Sequence, residues 1–178
     1  MPFTPRLSDS GMVNNPWWYS IDNIFYAAGY GLPNCTCYAY GRYAEARNDW
    51  APLPGNDAGD WYVNATGFSR GSAPALGAVI CYTSPSGNFP GHVAIVEEIA
   101  ADGTLTTSNS GWGGPYFWTA TVTPSGGYLE PWMRSGGRDY VFQGFIYNDV
   151  SPIPPGGPWG PWTLVNYLKY QKRRRGLL

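Results

Sequence analysis

The chain is short of charge: Lys, Arg, Asp and Glu make up 13% of its 178 residues, against roughly 25% in an average globular protein. It has one histidine and three cysteines. Cys35, Cys37 and Cys81 do not build a disulfide framework, and a C-x-C pair is too close for an unstrained bridge. Nor do these spacings assemble a four-ligand zinc site, so neither a metal nor a cofactor is expected. No apolar run is long enough to span a membrane, and the opening residues Met1 to Arg6 lack the apolar stretch of a secretory signal. A substrate beyond a membrane would then require some other means of delivery.

What charge there is lies unevenly. Positions 1–150 hold all 12 acids and six of the 11 bases, a net charge of −6, while positions 151–178 hold five bases and no acid. A body of that sign is not built to grip nucleic acid, whereas the tail can touch a polyanion. The chain is rich in aromatic residues (9 Trp, 14 Tyr, 7 Phe), Gly (24) and Pro (17). This composition points to a turn-rich, strand-rich body. Its rings suit either the packing of a core or the stacking of sugar rings. A hydrophobic fraction of 43% supplies a core and argues against wholesale disorder.

The pattern along the chain is helical first and extended later. Trp17-Trp18-Tyr19 marks entry into order, and residues 21–28 form a short helix ended by Gly29 and Gly31. Asn34 is a good N-cap for a helix over residues 35–47. The interior Gly41, which costs that helix roughly 1 kcal/mol relative to Ala, implies close packing against another element. Residues 48–72 read as a long loop with one helical turn near 60–65. Strands follow at about 78–82, 92–99, 104–109, 116–123 and 141–147, with a hairpin turn at Ala101-Asp102-Gly103. Helices followed by an antiparallel sheet of about five strands is an α+β arrangement. The domain plan is a body over 1–150, a Pro/Gly-rich linker over 151–158 and a basic tail over 159–178.

A cysteine in the first turn of a helix faces the positive end of the backbone dipoles, which favours its thiolate. Cys35 has that position, and its N–H is placed to hold an oxyanion. Cys37, two residues on, points some 200° away around the helix. Cys81 sits among Val79, Ile80 and Tyr82 as a buried structural thiol would. The single histidine, His92, opens a strand after Pro90-Gly91, where its side chain can project into a cleft. A hairpin returning through 104–109 brings Asn109, or a nearby polar group, beside it. A general base needs such a partner for its second ring nitrogen.

Three motifs, Asn34-Cys35-Thr36-x-Tyr38 with Gly41-Arg42, Pro74-x-x-Gly77-Ala78, and Gly91-His92-Val93-Ala94-Ile95-Val96-Glu97, together resemble the CHAP family of cysteine, histidine-dependent amidohydrolases/peptidases over about residues 17–148. The resemblance implies a papain-like α+β fold and cleavage of amide bonds in bacterial peptidoglycan, as an endopeptidase or an N-acetylmuramoyl-L-alanine amidase. It carries the nucleophile to Cys35, the base to His92 and the third residue to Asn109. The family commonly has Glu there; Asn orients a neutral imidazole but does not balance an imidazolium by charge. Gly111 stands where a further Asn is common. Some members bind calcium through an acidic loop before the cysteine, and residues 27–33 hold no carboxylate, so no such site is expected.

Trp112 and Trp118 are candidates for stacking on substrate or for core. The expected settings are a phage endolysin waiting in the host cytoplasm or a hydrolase carried on the virion. The tail would then dock on the virion or on an anionic wall polymer. The competing readings are a non-catalytic wall-binding or virion structural module on the same fold, and a papain-like transpeptidase or toxin-type amidase.

Overall fold

Asn34 starts the main helix as its sequence suggests. In the computed structural model, whose described residues are 3–148, the Asn34 side chain accepts from the Cys37 N–H at 3.0 Å and caps α3, Cys35–Arg47. The linker and basic tail expected beyond 150 lie outside the described residues. Before α3 come two single turns, α1 (Pro16–Tyr19) and α2 (Ile24–Ala27). The second is shorter than the expected 21–28 because Asn23 accepts from the N–H groups of Phe25 and Tyr26 and so starts the helix after itself. Gly41 has the close neighbour its placement implied: a Cβ there would fall on the Trp17 carbonyl and 2.7 Å from the Trp18 ring. Helix α1 therefore lies on the backbone of α3.

After α3 the chain makes a 3-10 turn at Ala58–Asp60, α4 (Trp61–Asn64) and strand β1 (Arg70–Gly71). Then come β2 (Val79–Thr83), β3 (His92–Ile99), β4 (Leu105–Asn109), β5 (Trp118–Val122) and β6 (Val141–Ile146). The sheet has six strands in the order β1-β6-β2-β3-β4-β5, all antiparallel. The five expected strands are present. The sixth, β1, is two residues long and sits in the stretch read as loop, too short to leave an alternating pattern; its pairing with β6 defines it. The expected α+β class, with a helix-borne cysteine packed on an antiparallel sheet, is the one found.

Strand alternation divides the core in two. Val79, Cys81, Val93, Ile95 and Ile146 face Cys37, Tyr38 and Ala39 of α3. Ile80, Tyr82, Ala94, Val96 and Phe145 face the other way and are covered by the β5–β6 connection, through Tyr128, Leu129, Trp132, Met133 and Tyr140. An ion-pair network binds α3 to the sheet. Buried Glu97 of β3 accepts from Arg42 Nε and Nη2, both at 2.8 Å, from Ser108 Oγ at 2.6 Å and from the Arg6 N–H at 2.8 Å. Tyr38, one turn before Arg42, donates to Ser108 Oγ at 2.8 Å. Tyr38, Arg42 and Glu97 of the sequence motifs thus serve to fix the helix over β3 and β4.

Candidate active site

Three elements deliver the site. Helix α3 begins at Cys35, so the Cys35 N–H is one of the first-turn donors that have no intrahelical acceptor. Strand β3 begins at His92, and the approach to it is tightly held. The Gly59 N–H donates to the Pro90 carbonyl at 2.8 Å. Gly91, at φ +82°, leaves no room for a Cβ, which would strike the Gly59 backbone. The third element is β4, whose last residue is Asn109. In the β3–β4 register Ile95 faces Ser108, which sets Asn109 diagonally across from His92. The Ser110 hydroxyl then accepts from the Asn34 N–H at 3.1 Å and ties the strand end to the turn before Cys35.

His92 is buried and lies between Cys35 and Asn109. Its Nε2 is 2.9 Å from Asn109 Oδ1, and its ring lies close enough to the Cys35 thiol for each to act on the other's ionisation. The polarity of the network can be worked out from its far end. The Thr107 hydroxyl is within 3.4 Å of two acceptors, the Ala120 carbonyl and Glu130 Oε1, so its proton points at one of them. It therefore accepts from Asn109 Nδ2, at 3.1 Å. That leaves Asn109 Oδ1 to accept from Nε2–H, and leaves Nδ1 for the thiol.

The electrostatics follow from this arrangement. Burial pushes the Cys35 thiol up, but the hydrogen bond and charge of His92, with the N–H groups of Val93 and Thr36, outweigh it and hold the thiol below its usual range. Burial pulls His92 down; the Cys35 hydrogen bond and charge, then the charge of Glu130 and the Asn109 amide, raise it above the usual value. A depressed thiol beside a raised imidazole is a pair able to exist as thiolate and imidazolium. The other cysteines differ. Burial pushes Cys37 up to about 12, against a smaller effect of the Leu32 backbone, and burial alone raises Cys81. Among the described residues, no cluster of three or more His, Cys, Asp or Glu is placed to hold a metal ion.

The predicted site residues are thus distributed as follows. Cys35, His92 and Asn109 meet. Trp118, partly buried, stacks beside His92 at 5.9 Å between ring centroids and 22° between planes. Trp112 is 68% exposed and forms a tilted pair with exposed Tyr30, 5.9 Å away.

Two residues escaped the sequence reading. Trp132 sets its ring edge-on to His92 at 5.3 Å. Glu130 is fully buried and accepts from the indole N–H groups of Trp118 at 3.1 Å and Trp132 at 2.6 Å. Both lie on the β5–β6 connection, where Gly and Pro leave no periodicity to follow. The available signal was compositional: a single acid between Leu129 and Pro131 in an apolar, aromatic run.

Residues 25–111 match the family model of the CHAP domain. Over 87 residues the chain is 34% identical to "Probable autolysin LDP" of Staphylococcus aureus (strain NCTC 8325 / PS 47), a match covering 48% of this chain and 30% of that protein. A crystal structure of N-acetylmuramoyl-L-alanine amidase from Staphylococcus aureus matches at 25% identity and a TM-score of 0.44, over 53% of this chain and 28% of that one. The chain therefore spans less than a third of the length of these two relatives.

Proposed function

Because residues 25–111 belong to the CHAP family, we propose that the chain is a peptidoglycan hydrolase that cuts an amide bond through a thioester on Cys35. The observation that carries this reading is the position of His92, beside the Cys35 thiol on one side and 2.9 Å from Asn109 Oδ1 on the other. The autolysin relative supports the cell wall as substrate. Among the described residues no helix is long and apolar enough to cross a membrane.

In the proposed mechanism the Cys35 proton passes to Nδ1 of His92, and the thiolate attacks the amide carbonyl carbon. The oxyanion takes the Cys35 N–H at the start of α3. The C–N bond then breaks as the imidazolium returns its proton to the leaving amine, which leaves a thioester. Water, deprotonated by His92, hydrolyses that thioester and frees the thiol. Asn109 holds the imidazole ring through Nε2 during both proton transfers. Trp112, open to solvent beside Tyr30, offers a stacking face for a saccharide or peptide of the wall, and Trp118 packs against His92.

Digestion of purified peptidoglycan followed by mass spectrometry of the fragments tests the reading and identifies the bond. New amine and carboxyl termini are expected with the wild type and none with Cys35→Ser. Lysis by Cys35→Ser removes the nucleophile assignment, and wall binding without new termini means a binding module. Fragments joined to an acceptor amine would mean a transpeptidase.

A further inference from the structure

The group that holds Nε2 of His92 is the Asn109 amide, so the imidazolium has no carboxylate in contact with it. A carboxylate nevertheless lies close by. Glu130 precedes the 3-10 turn Pro131–Arg134 of the β5–β6 connection and is fully buried. No Lys or Arg pairs with it among the described ion pairs. A buried carboxylate without a cation is costly unless donors converge on it. Two indole N–H groups do so on Oε2, and the Thr107 hydroxyl lies 3.4 Å from Oε1 and equally far from the Ala120 carbonyl, with one proton for the two.

Each donor leads to His92. Trp118 and Trp132 are the rings stacked on and set edge-on to the imidazole, so one carboxylate holds both. Thr107 in turn accepts from the amide that takes the Nε2 proton. Tyr82 stacks on His92 at 6.2 Å and donates its own hydroxyl to the Tyr128 carbonyl. The charged or titratable groups acting on the imidazole are therefore Cys35 and Glu130, with Arg138 beyond, over the Trp132 ring at 5.4 Å.

We propose that Glu130 is the acid of this site, a positioning residue that fixes His92 through Trp118, Trp132 and the Thr107–Asn109 link and balances the imidazolium from behind the amide. The negative charge that the Asn109 amide does not carry is supplied from a different segment, behind the two rings packed on His92. The aromatic rings let it act there, because they exclude the water that would screen it, and Trp118 lays its π face along the imidazolium. The proposal rests on the Cys35–His92 chemistry proposed above.

Since His92 is the only histidine of the chain, its ring can be titrated unambiguously by NMR, with no substrate present. Glu130→Gln keeps the size and removes the charge. The expected result is a fall in the His92 midpoint by about one pH unit, the scale of a nearby opposite charge, and about a tenfold slower wall digestion. Glu130→Asp, which keeps the charge, is expected to stay nearer the wild-type midpoint, an ordering that a purely packing role would not produce. If Glu130→Gln fails to fold, Thr107→Val breaks the link at nearly constant volume and is expected to move the midpoint the same way by less. An unchanged midpoint in the folded variants overturns the proposal, even if the wild type digests peptidoglycan. A moved midpoint in a protein that digests nothing upholds it and removes the substrate reading instead.

Discussion

Removing the Asn109 amide measures how far the thiol chemistry depends on a held imidazole. In Asn109→Ala the Nε2–H of His92 loses its 2.9 Å acceptor in a buried position where water does not readily replace it. A hydrogen bond to a charged group contributes about 1.5–3 kcal/mol. At 1.36 kcal/mol per decade the loss corresponds to a fall of roughly 10- to 150-fold in kcat/KM. The pH profile should narrow from one side. The thiol lies below its usual value and the imidazole above its own, so the reactive thiolate–imidazolium pair exists between two limbs. The alkaline limb is the loss of the His92 proton. The amide is one of the groups that raise His92, so its removal moves that limb to lower pH. Asn109→Asp places a charge there and should move the limb the other way. Initial rates of dye release from labelled peptidoglycan, taken across pH at limiting substrate, give both quantities. If Asn109→Ala keeps more than half the rate with both limbs in place, the amide does not hold the imidazole and the network polarity worked out above is wrong.

Two further outcomes follow from the same geometry. Brief treatment of the folded protein with iodoacetamide near neutral pH should alkylate Cys35 alone, because burial raises both other thiols, Cys37 to about 12; peptide mass spectrometry showing Cys37 modified at a similar rate would contradict this. Glu97→Gln should cost about 3 kcal/mol of stability, the low end of the scale for breaking a buried pair, because Arg42 keeps a second carboxylate, Glu45, at 3.0 Å. In urea, with a slope of roughly 1–3 kcal/mol/M, the midpoint should fall by more than about 1 M, and a shift within error would mean that the helix-to-sheet network contributes little.

How much could be read from the sequence depended on how local each feature is. The cap at Asn34 and the helix after it need only a few neighbouring residues, and so does the tight turn that returns β3 into β4. Gly41 announced a close neighbour because an interior glycine weakens a helix, but not that the neighbour would be α1. Strand β1 could not be foreseen, since two residues carry no pattern and only β6 gives them one.

The site divides along the same line. The sequence by itself determined the cysteine at a helix start and the histidine at a strand start, because dipole alignment and strand entry are properties of a few consecutive residues. The short-range register of a hairpin placed Asn109, or a nearby polar group, beside the histidine, and the family resemblance pointed to Asn109 itself. Only the tertiary structure decided which charges and rings surround His92. Glu130 and Trp132 reach it from a connection more than twenty residues beyond Asn109 in a segment without periodicity. Burial and contact between such distant segments arise only when the sheet is assembled and that connection closes over its far face.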